Sequence, residues 1–246
     1  MAGVLVITGG SRGIGAATAR LGAHRGYKIA IVYRSAERTA HELASEITRG
    51  GGAAQAFRAD VSNPEEVSAA FNAIGHGLGS LGGLVTAAGI TGGAKSILEV
   101  DPAMLQEVIA VNLLGTFYCV QAAARRMSRS RGGKGGAIVT VSSEAGRFGG
   151  NRLAAYAAAK AGVNTLTIGA ARELAEDGIR INAVSPGVID TDQHAGQTPE
   201  RLAGLLSSIP LKRMGRAEEV AQAIMWLLSD EASYTTGSIL SVHGGR

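Results

Sequence analysis

Thr8-Gly9-Gly10-Ser11-Arg12-Gly13-Ile14-Gly15 stands between a short apolar run, Val4–Thr8, and an alanine-rich stretch that opens at Gly13. Glycine reaches backbone angles closed to other residues. The chain can therefore turn sharply here, bring its N–H groups up to a pyrophosphate and lay the following helix close on the strand. The free N–H groups and dipole at the start of that helix attract phosphate charge. The spacing is G-x-x-x-G-x-G on Gly9, Gly13 and Gly15, which departs from the G-x-G-x-x-G of the general dinucleotide fingerprint. With a strand before it and a helix after it, the segment reads as a dinucleotide turn rather than a turn that serves packing alone.

Outward from this turn, short β-branched runs alternate with longer amphipathic stretches, the pattern of an α/β chain whose parallel sheet carries helices on both faces. Strands are expected at Val4–Thr8, Lys28–Tyr33, Ala53–Ala59, Gly83–Ala87, Ala137–Val141, Ile179–Val184 and Ser238–Val242, seven in one sheet. Helices are expected at Gly13–Arg25, Ala36–Arg49, Pro64–His76, Pro102–Arg126, Leu153–Glu176 and Ala217–Leu228. Pro64 and Pro102 take first-turn positions, where a missing N–H costs little, and Gly178 closes a helix ahead of Ile179. No composition shift marks a boundary, so residues 1–246 are expected to form a single domain. The stretch from Asp190 to Gly215 follows no strict period, and residues 192–210 within it are expected to act as a substrate lid.

Composition removes several classes. Gly is 36 of 246 residues but Pro is 5 and no G-X-Y period appears, which excludes collagen-like and disordered chains. A net charge of +4 is weak support for nucleic acid, and none is expected as a partner. The uncharged stretch Val108–Ala124 contains Asn112, Thr116 and Gln121, which are cheaper to bury in protein than in lipid, so no membrane association is expected. MAGVLVITGG lacks the basic flank of a signal peptide. The lone Cys119 excludes an intramolecular disulfide and a cysteine metal cluster. A cytoplasmic protein without a metal site is the expectation.

The second strand ends in Val32-Tyr33-Arg34-Ser35, with no carboxylate before Glu37 to accept a ribose 2′-hydroxyl. Arg34 there and Arg12 in the glycine turn suit a 2′-phosphate, so NADP(H) is expected in preference to NAD(H). Tyr156 and Lys160 lie four apart in a strong helix former and share one face. An ammonium beside a phenol favours the phenolate, drawing its pKa down from about 10, as a proton-exchanging tyrosine requires. Ser143 follows the strand Ala137–Val141, where strand C-termini line the ligand crevice. Asn112 lies in an apolar helix, where its amide needs a partner.

The TGxxxGxG turn together with YxxxK resembles the short-chain dehydrogenase/reductase family of single-domain type along essentially the whole chain. Ile209-Pro210-Leu211, Ala217-Glu218-Glu219-Val220 and Thr236-Gly237 are most similar to 3-oxoacyl-carrier-protein reductases and glucose-dehydrogenase-like members. The resemblance implies a Rossmann-type, doubly wound, seven-stranded parallel sheet and a catalytic tetrad of Asn112, Ser143, Tyr156 and Lys160. It implies a cofactor site on Gly9, Ser11, Arg12, Gly13, Ile14, Gly15, Arg34, Ser35, Asp60, Val61, Ala87, Ala88, Gly89, Val141, Pro186, Gly187, Ile189 and Thr191, shared with Tyr156 and Lys160. It further implies hydride transfer between NADP(H) and a small-molecule carbonyl or secondary alcohol, Asn112 holding a water that feeds protons to Lys160, and a homotetramer. Two departures stand out. Thr86-Ala87-Ala88-Gly89 replaces the family's Asn-Asn-Ala-Gly, and Val242-His243-Gly244-Gly245 replaces Val-Asp-Gly-Gly.

Two other readings remain open. Arg125, Arg126, Arg129, Arg131 and Lys134 form a basic run that suits an acidic carrier protein bearing an acyl substrate, although cations at a helix C-terminus give the same pattern. A nucleotide-sensing protein without turnover is the other, opposed by the presence of all four catalytic side chains. Candidate substrate-pocket residues are Ile90, Thr91, Glu144, Phe148 and Leu153, besides the lid.

Overall fold

Strand β1 (Val4–Thr8) is buried at all five positions, with Val4 and Val6 in one apolar layer and Leu5 and Ile7 in the other. A strand covered on both faces belongs at the centre of a parallel sheet. The structure, a computed structural model, describes residues 3–191 and 204–246. After β1 come α1 (Gly13–His24), β2 (Lys28–Tyr33), α2 (Glu37–Arg49), β3 (Ala53–Arg58), α3 (Pro64–Leu78) and β4 (Leu81–Thr86). Next are α4 (Pro102–Ile109), a π turn (Ala110–Leu114), α5 (Gly115–Met127), β5 (Gly136–Val141), α6 (Ala145–Phe148), α7 (Ala154–Leu174) and β6 (Ile179–Pro186). The chain continues through β7 (Ile189–Asp190), β8 (Gly215–Arg216), α8 (Ala217–Leu228) and β9 (Ile239–Val242).

The main sheet has seven strands in the order β3-β2-β1-β4-β5-β6-β9, all parallel. Helices α3, α5 and α7 contribute Phe71, Ile74, Val120, Met127 and Ala171 to one core. Helices α1, α2 and α8 contribute Ala19, Leu43, Ile47, Val220 and Ile224 to the other. The expected doubly wound sheet is therefore observed, and strand order reverses between β1 and β4. In such a sheet the crevice beyond those two strand ends is where ligands bind.

Boundary chemistry follows the sequence. The Asn63 side chain accepts the N–H groups of Glu65 and Glu66 ahead of Pro64, and Asp101 accepts that of Met104 ahead of Pro102. Gly178 has φ +72 and returns its N–H to the Ala175 carbonyl, closing the turn before β6.

The helix expected to run unbroken over Pro102–Arg126 instead contains the π turn Ala110–Leu114. Pro102–Met127 is long and apolar enough to cross a membrane by length and hydropathy, yet Asn112 and Thr116 are buried within it and α5 lies on β4 and α3. A helix carrying buried polar groups between protein layers reads as a core helix. The irregular stretch 190–215 holds a two-strand ladder that periodicity did not announce, Ile189 beside Gly215 and Asp190 beside Arg216. Of the expected lid, residues 192–203 lie outside the described residues; residues 204–207 form a helical turn and Ile209 is buried.

Candidate active site

Gly9 follows β1 with φ +62, and a Cβ there would lie 2.7 Å from the backbone of Ala88. The two strand ends at the reversal point therefore meet too closely at Gly9 and Ala88 for a side chain at position 9. The Ala87 N–H donates to the Thr8 carbonyl at 3.1 Å and the Ala88 N–H to Thr8 Oγ1 at 3.3 Å. Thr86 Oγ1 is buried with no hydrogen-bond partner among the described residues, a cost of about 1–3 kcal/mol.

Beyond this junction opens a cavity of about 380 Å³. Every residue expected at the cofactor lines it, from the glycine turn through Arg34, Ser35, Asp60, Val61, Ala87, Ala88, Gly89 and Val141 to Pro186, Gly187, Ile189 and Thr191. Ser143, Tyr156 and Lys160 line the same cavity. Val32, Tyr33, Ala36, Ala59, Val111 and Ser142 also line it. Sequence reasoning missed these six, although each adjoins a strand end or site residue that it had identified.

Several features suit a dinucleotide. Arg12, the residue before α1, has extended backbone and makes no capping bond with its side chain, and the first turn of α1 has no acidic residue. Its N–H groups are thus left for an anion. Gly13 has φ +52 and lies beside the Thr191 side chain. Arg34 Nη1 lies 3.6 Å from Asp60 Oδ2 and 3.9 Å from Glu107 Oε1, all three side chains being partly exposed. Burial opposes the charge on Asp60, but the Ser62 hydrogen bonds and Arg34 outweigh it and hold the carboxyl below its ordinary value.

Three polar contacts fix α7 to the sheet. Thr140 and Thr167 hydroxyls meet at 2.8 Å in the core, joining β5 to α7. Ser142 Oγ donates to the Lys160 carbonyl at 3.1 Å, and Lys160 Nζ donates to the Val141 carbonyl at 2.8 Å. Lys160 is 3 % exposed, and burial pushes its ammonium down to about 8. Its Nζ is 5.7 Å from the centre of the Tyr156 ring. The expected downward shift of the Tyr156 phenol is not found. Burial pushes it up, and the hydrogen bond with the Ser143 side chain draws it only part of the way back. The ammonium is engaged with Val141, and desolvation of the phenolate wins.

Asn112 lies behind Gly89 rather than on the cavity. Its amide donates to the carbonyls of Ile90 and Val108, both at 2.8 Å, and its Oδ1 accepts the Ile90 N–H at 3.3 Å. The π turn places the amide where it braces the Gly89–Ile90 segment, a register that a 3.6-residue period does not reveal. Among the substrate candidates, Ile90 lines the cavity, but Thr91, Glu144, Phe148 and Leu153 do not. Phe148 is 61 % exposed, and Glu144 pairs with Arg246.

A family model described as enoyl-(acyl carrier protein) reductase matches residues 9–246. The chain is 44 % identical over 99 % of both lengths to the uncharacterized oxidoreductase YgfF of Escherichia coli K12. It is 42 % identical to cis-4-hydroxycyclohexanecarboxylate dehydrogenase of Sinomonas cyclohexanicum, over 98 % of this chain and 95 % of the relative. It is 39 % identical to the 3-oxoacyl-[acyl-carrier-protein] reductase FabG of Staphylococcus aureus, over 98 % and 96 %. A solved dehydrogenase/reductase from Sinorhizobium meliloti 1021 superposes with a TM-score of 0.91 at 33 % identity, covering 99 % of this chain and 94 % of that one.

Proposed function

This chain belongs to the short-chain dehydrogenase/reductase family, oxidoreductases acting on CH–OH and C=O groups, and from that premise we propose that it moves a hydride between NADP(H) and a small-molecule carbonyl or secondary alcohol. The observation that carries the reading is the convergence of Ser143, Tyr156 and Lys160 with the glycine turn on one cavity. When bound, the nicotinamide supplies or accepts the hydride, and the chain contributes position and proton handling. Tyr156 acts as general acid toward the carbonyl oxygen in reduction and as general base in oxidation. Its raised pKa keeps the unliganded phenol protonated at neutral pH, the form that reduction uses. The Ser143 hydroxyl holds the same oxygen, and Lys160 holds the nicotinamide ribose while its charge favours the phenolate that forms. Asn112 serves through the turn that its amide braces.

NADPH is expected to bind at least tenfold more tightly than NADH, because Arg12 and Arg34 line the cavity and no carboxylate ends β2. Charge-assisted hydrogen bonds of about 1.5–3 kcal/mol each exceed the ~1.4 kcal/mol that tenfold requires. The exposed contacts of Arg34 with Asp60 and Glu107 are weak enough to yield. Fluorescence titration of both cofactors decides the point, and equal affinities refute it. The reaction itself is tested by NADPH oxidation across ketones, sugars, quinones and short acyl thioesters. Turnover confined to the thioesters supports the carrier-protein reading that the FabG relative favours. Binding without consumption anywhere supports the sensor.

The chain is also read as a homotetramer. Leu105, Leu114 and Phe117 on the α4–α5 segment and Ile168 on α7 are 38–47 % exposed, apolar positions that contact between copies would cover. Sedimentation at micromolar concentration is expected to give about four times the 25.0 kDa chain mass. A monomer there contradicts it.

A further inference from the structure

Behind the wall formed by Ser143 and Gly187 lie three side chains that the chemistry above does not use: Glu144, His243 and Arg246. Arg246 Nη1 is 2.8 Å from Glu144 Oε1, with the two side chains 30 % and 15 % exposed. Glu144 Oε2 and His243 Nδ1 are fully buried without a hydrogen-bond partner among the described residues. Burial raises the Glu144 carboxyl above its ordinary value, while the charges of Arg246 and His243 draw it back. A carboxylate beside the site serine thus costs desolvation that these two groups offset only in part.

The backbone connects this cluster to the site on both sides. The Glu144 N–H donates to the Pro186 carbonyl at 2.9 Å, and the Gly187 N–H donates to the Val242 carbonyl at 3.0 Å. A Cβ on Gly187 would come within 2.7 Å of His243 Cβ, so His243 packs directly on that glycine. The Ala145 N–H donates to Ser143 Oγ at 3.2 Å and the Gly146 N–H to the Ser143 carbonyl at 2.9 Å. The turn that aims Ser143 is therefore fastened at its next residue to the segment that follows β9, and His243 backs the opposite wall. Packing alone would be served by an apolar residue at position 144.

We propose that Glu144, Arg246 and His243 form a positioning clamp, in which the Glu144–Arg246 ion pair, backed by His243, holds the Ser143 turn at its working distance from the Pro186–Gly187 wall. The clamp rests on the reading above that Ser143 holds the substrate oxygen. It acts through the serine and touches no reacting atom.

Arg246→Ala, Arg246→Lys, Glu144→Gln and the double variant Glu144→Gln/Arg246→Ala test it in the full chain. Hydrogen exchange on the unliganded protein needs no substrate. Arg246→Ala is expected to speed exchange at the amides of residues 144–146 by roughly tenfold, with Arg246→Lys restoring protection. With the carbonyl most rapidly reduced in the NADPH screen, kcat is expected to fall roughly tenfold in Arg246→Ala while KM and NADPH affinity stay within about twofold. The double variant is expected to lose no more than Arg246→Ala alone, since both substitutions break one pair. Unchanged exchange in Arg246→Ala overturns the clamp, as does a loss confined to KM or losses that simply add. Ser143→Ala separates the two readings. Undiminished turnover there removes the role given to the serine, whereas the exchange result decides the clamp by itself.

Discussion

Tyr156→Phe is expected to lower turnover by roughly 10²–10⁴, the range for a lost general acid, while the fold and NADPH affinity stay intact. The substitution removes one hydroxyl whose contact is with the Ser143 side chain and keeps the ring over which Lys160 Nζ lies at 5.7 Å. The helix beneath it is anchored by other groups, namely the Thr140–Thr167 pair and the bonds between the Val141–Ser142 backbone and side chain and Lys160. A loss in kcat with unchanged cofactor titration and melting temperature therefore isolates the proton. Turnover near that of the unaltered enzyme on a substrate found in the screen would show that another group delivers it.

Much of this arrangement is legible in the sequence alone, for physical reasons that differ between elements. The glycine turn is readable because a sharp βα turn packed against a neighbouring strand end leaves few alternatives to glycine, and Gly9 does meet the backbone of Ala88 where a side chain would collide. Tyr156 and Lys160 were readable because four residues of helix place them on one face. Helix starts at Pro64 and Pro102 were readable because their caps are local in sequence. What stayed hidden depends on groups distant in sequence or on small energetic balances. The π turn around Asn112 answers to the Ile90 carbonyl twenty-two positions away, and apolar periodicity carries no trace of it. The β7–β8 ladder joins residues twenty-six apart across a stretch without a period. Glu144 was expected at the substrate because it follows the site serine, but its partner lies at Arg246. The phenol shift had the wrong sign for a similar reason, since proximity to Lys160 was visible and the desolvation of Tyr156 was not.

Lys160→Met is expected to abolish most turnover, by roughly 10²-fold or more, and yet to stabilise the unliganded chain at neutral pH. The ammonium is 3 % exposed, and burial pushes it from its ordinary 10.5 down to about 8. At 1.36 kcal/mol per unit, that displacement means the folded state bears a penalty of roughly 3 kcal/mol for keeping Lys160 charged. Methionine of similar length removes the charge and loses the charge-assisted bond to the Val141 carbonyl, worth about 1.5–3 kcal/mol, so the net gain at pH 7 is at most roughly 2 kcal/mol. The folded chain releases the Lys160 proton near pH 8 and the unfolded chain near 10.5. Between those values the unfolded state holds more protons, so the unaltered protein gains stability on the variant as pH rises. Below pH 8 the advantage of Lys160→Met is full, and by pH 10.5 it has vanished or reversed. Urea melts of both proteins at pH 7 and pH 9.5 without cofactor measure this difference, and other titrating groups cancel because they are common to both. A variant less stable than the parent at pH 7, or a difference that does not shrink at pH 9.5, would mean that the lysine is stabilised in place and is not held there against its solvation for the sake of the site.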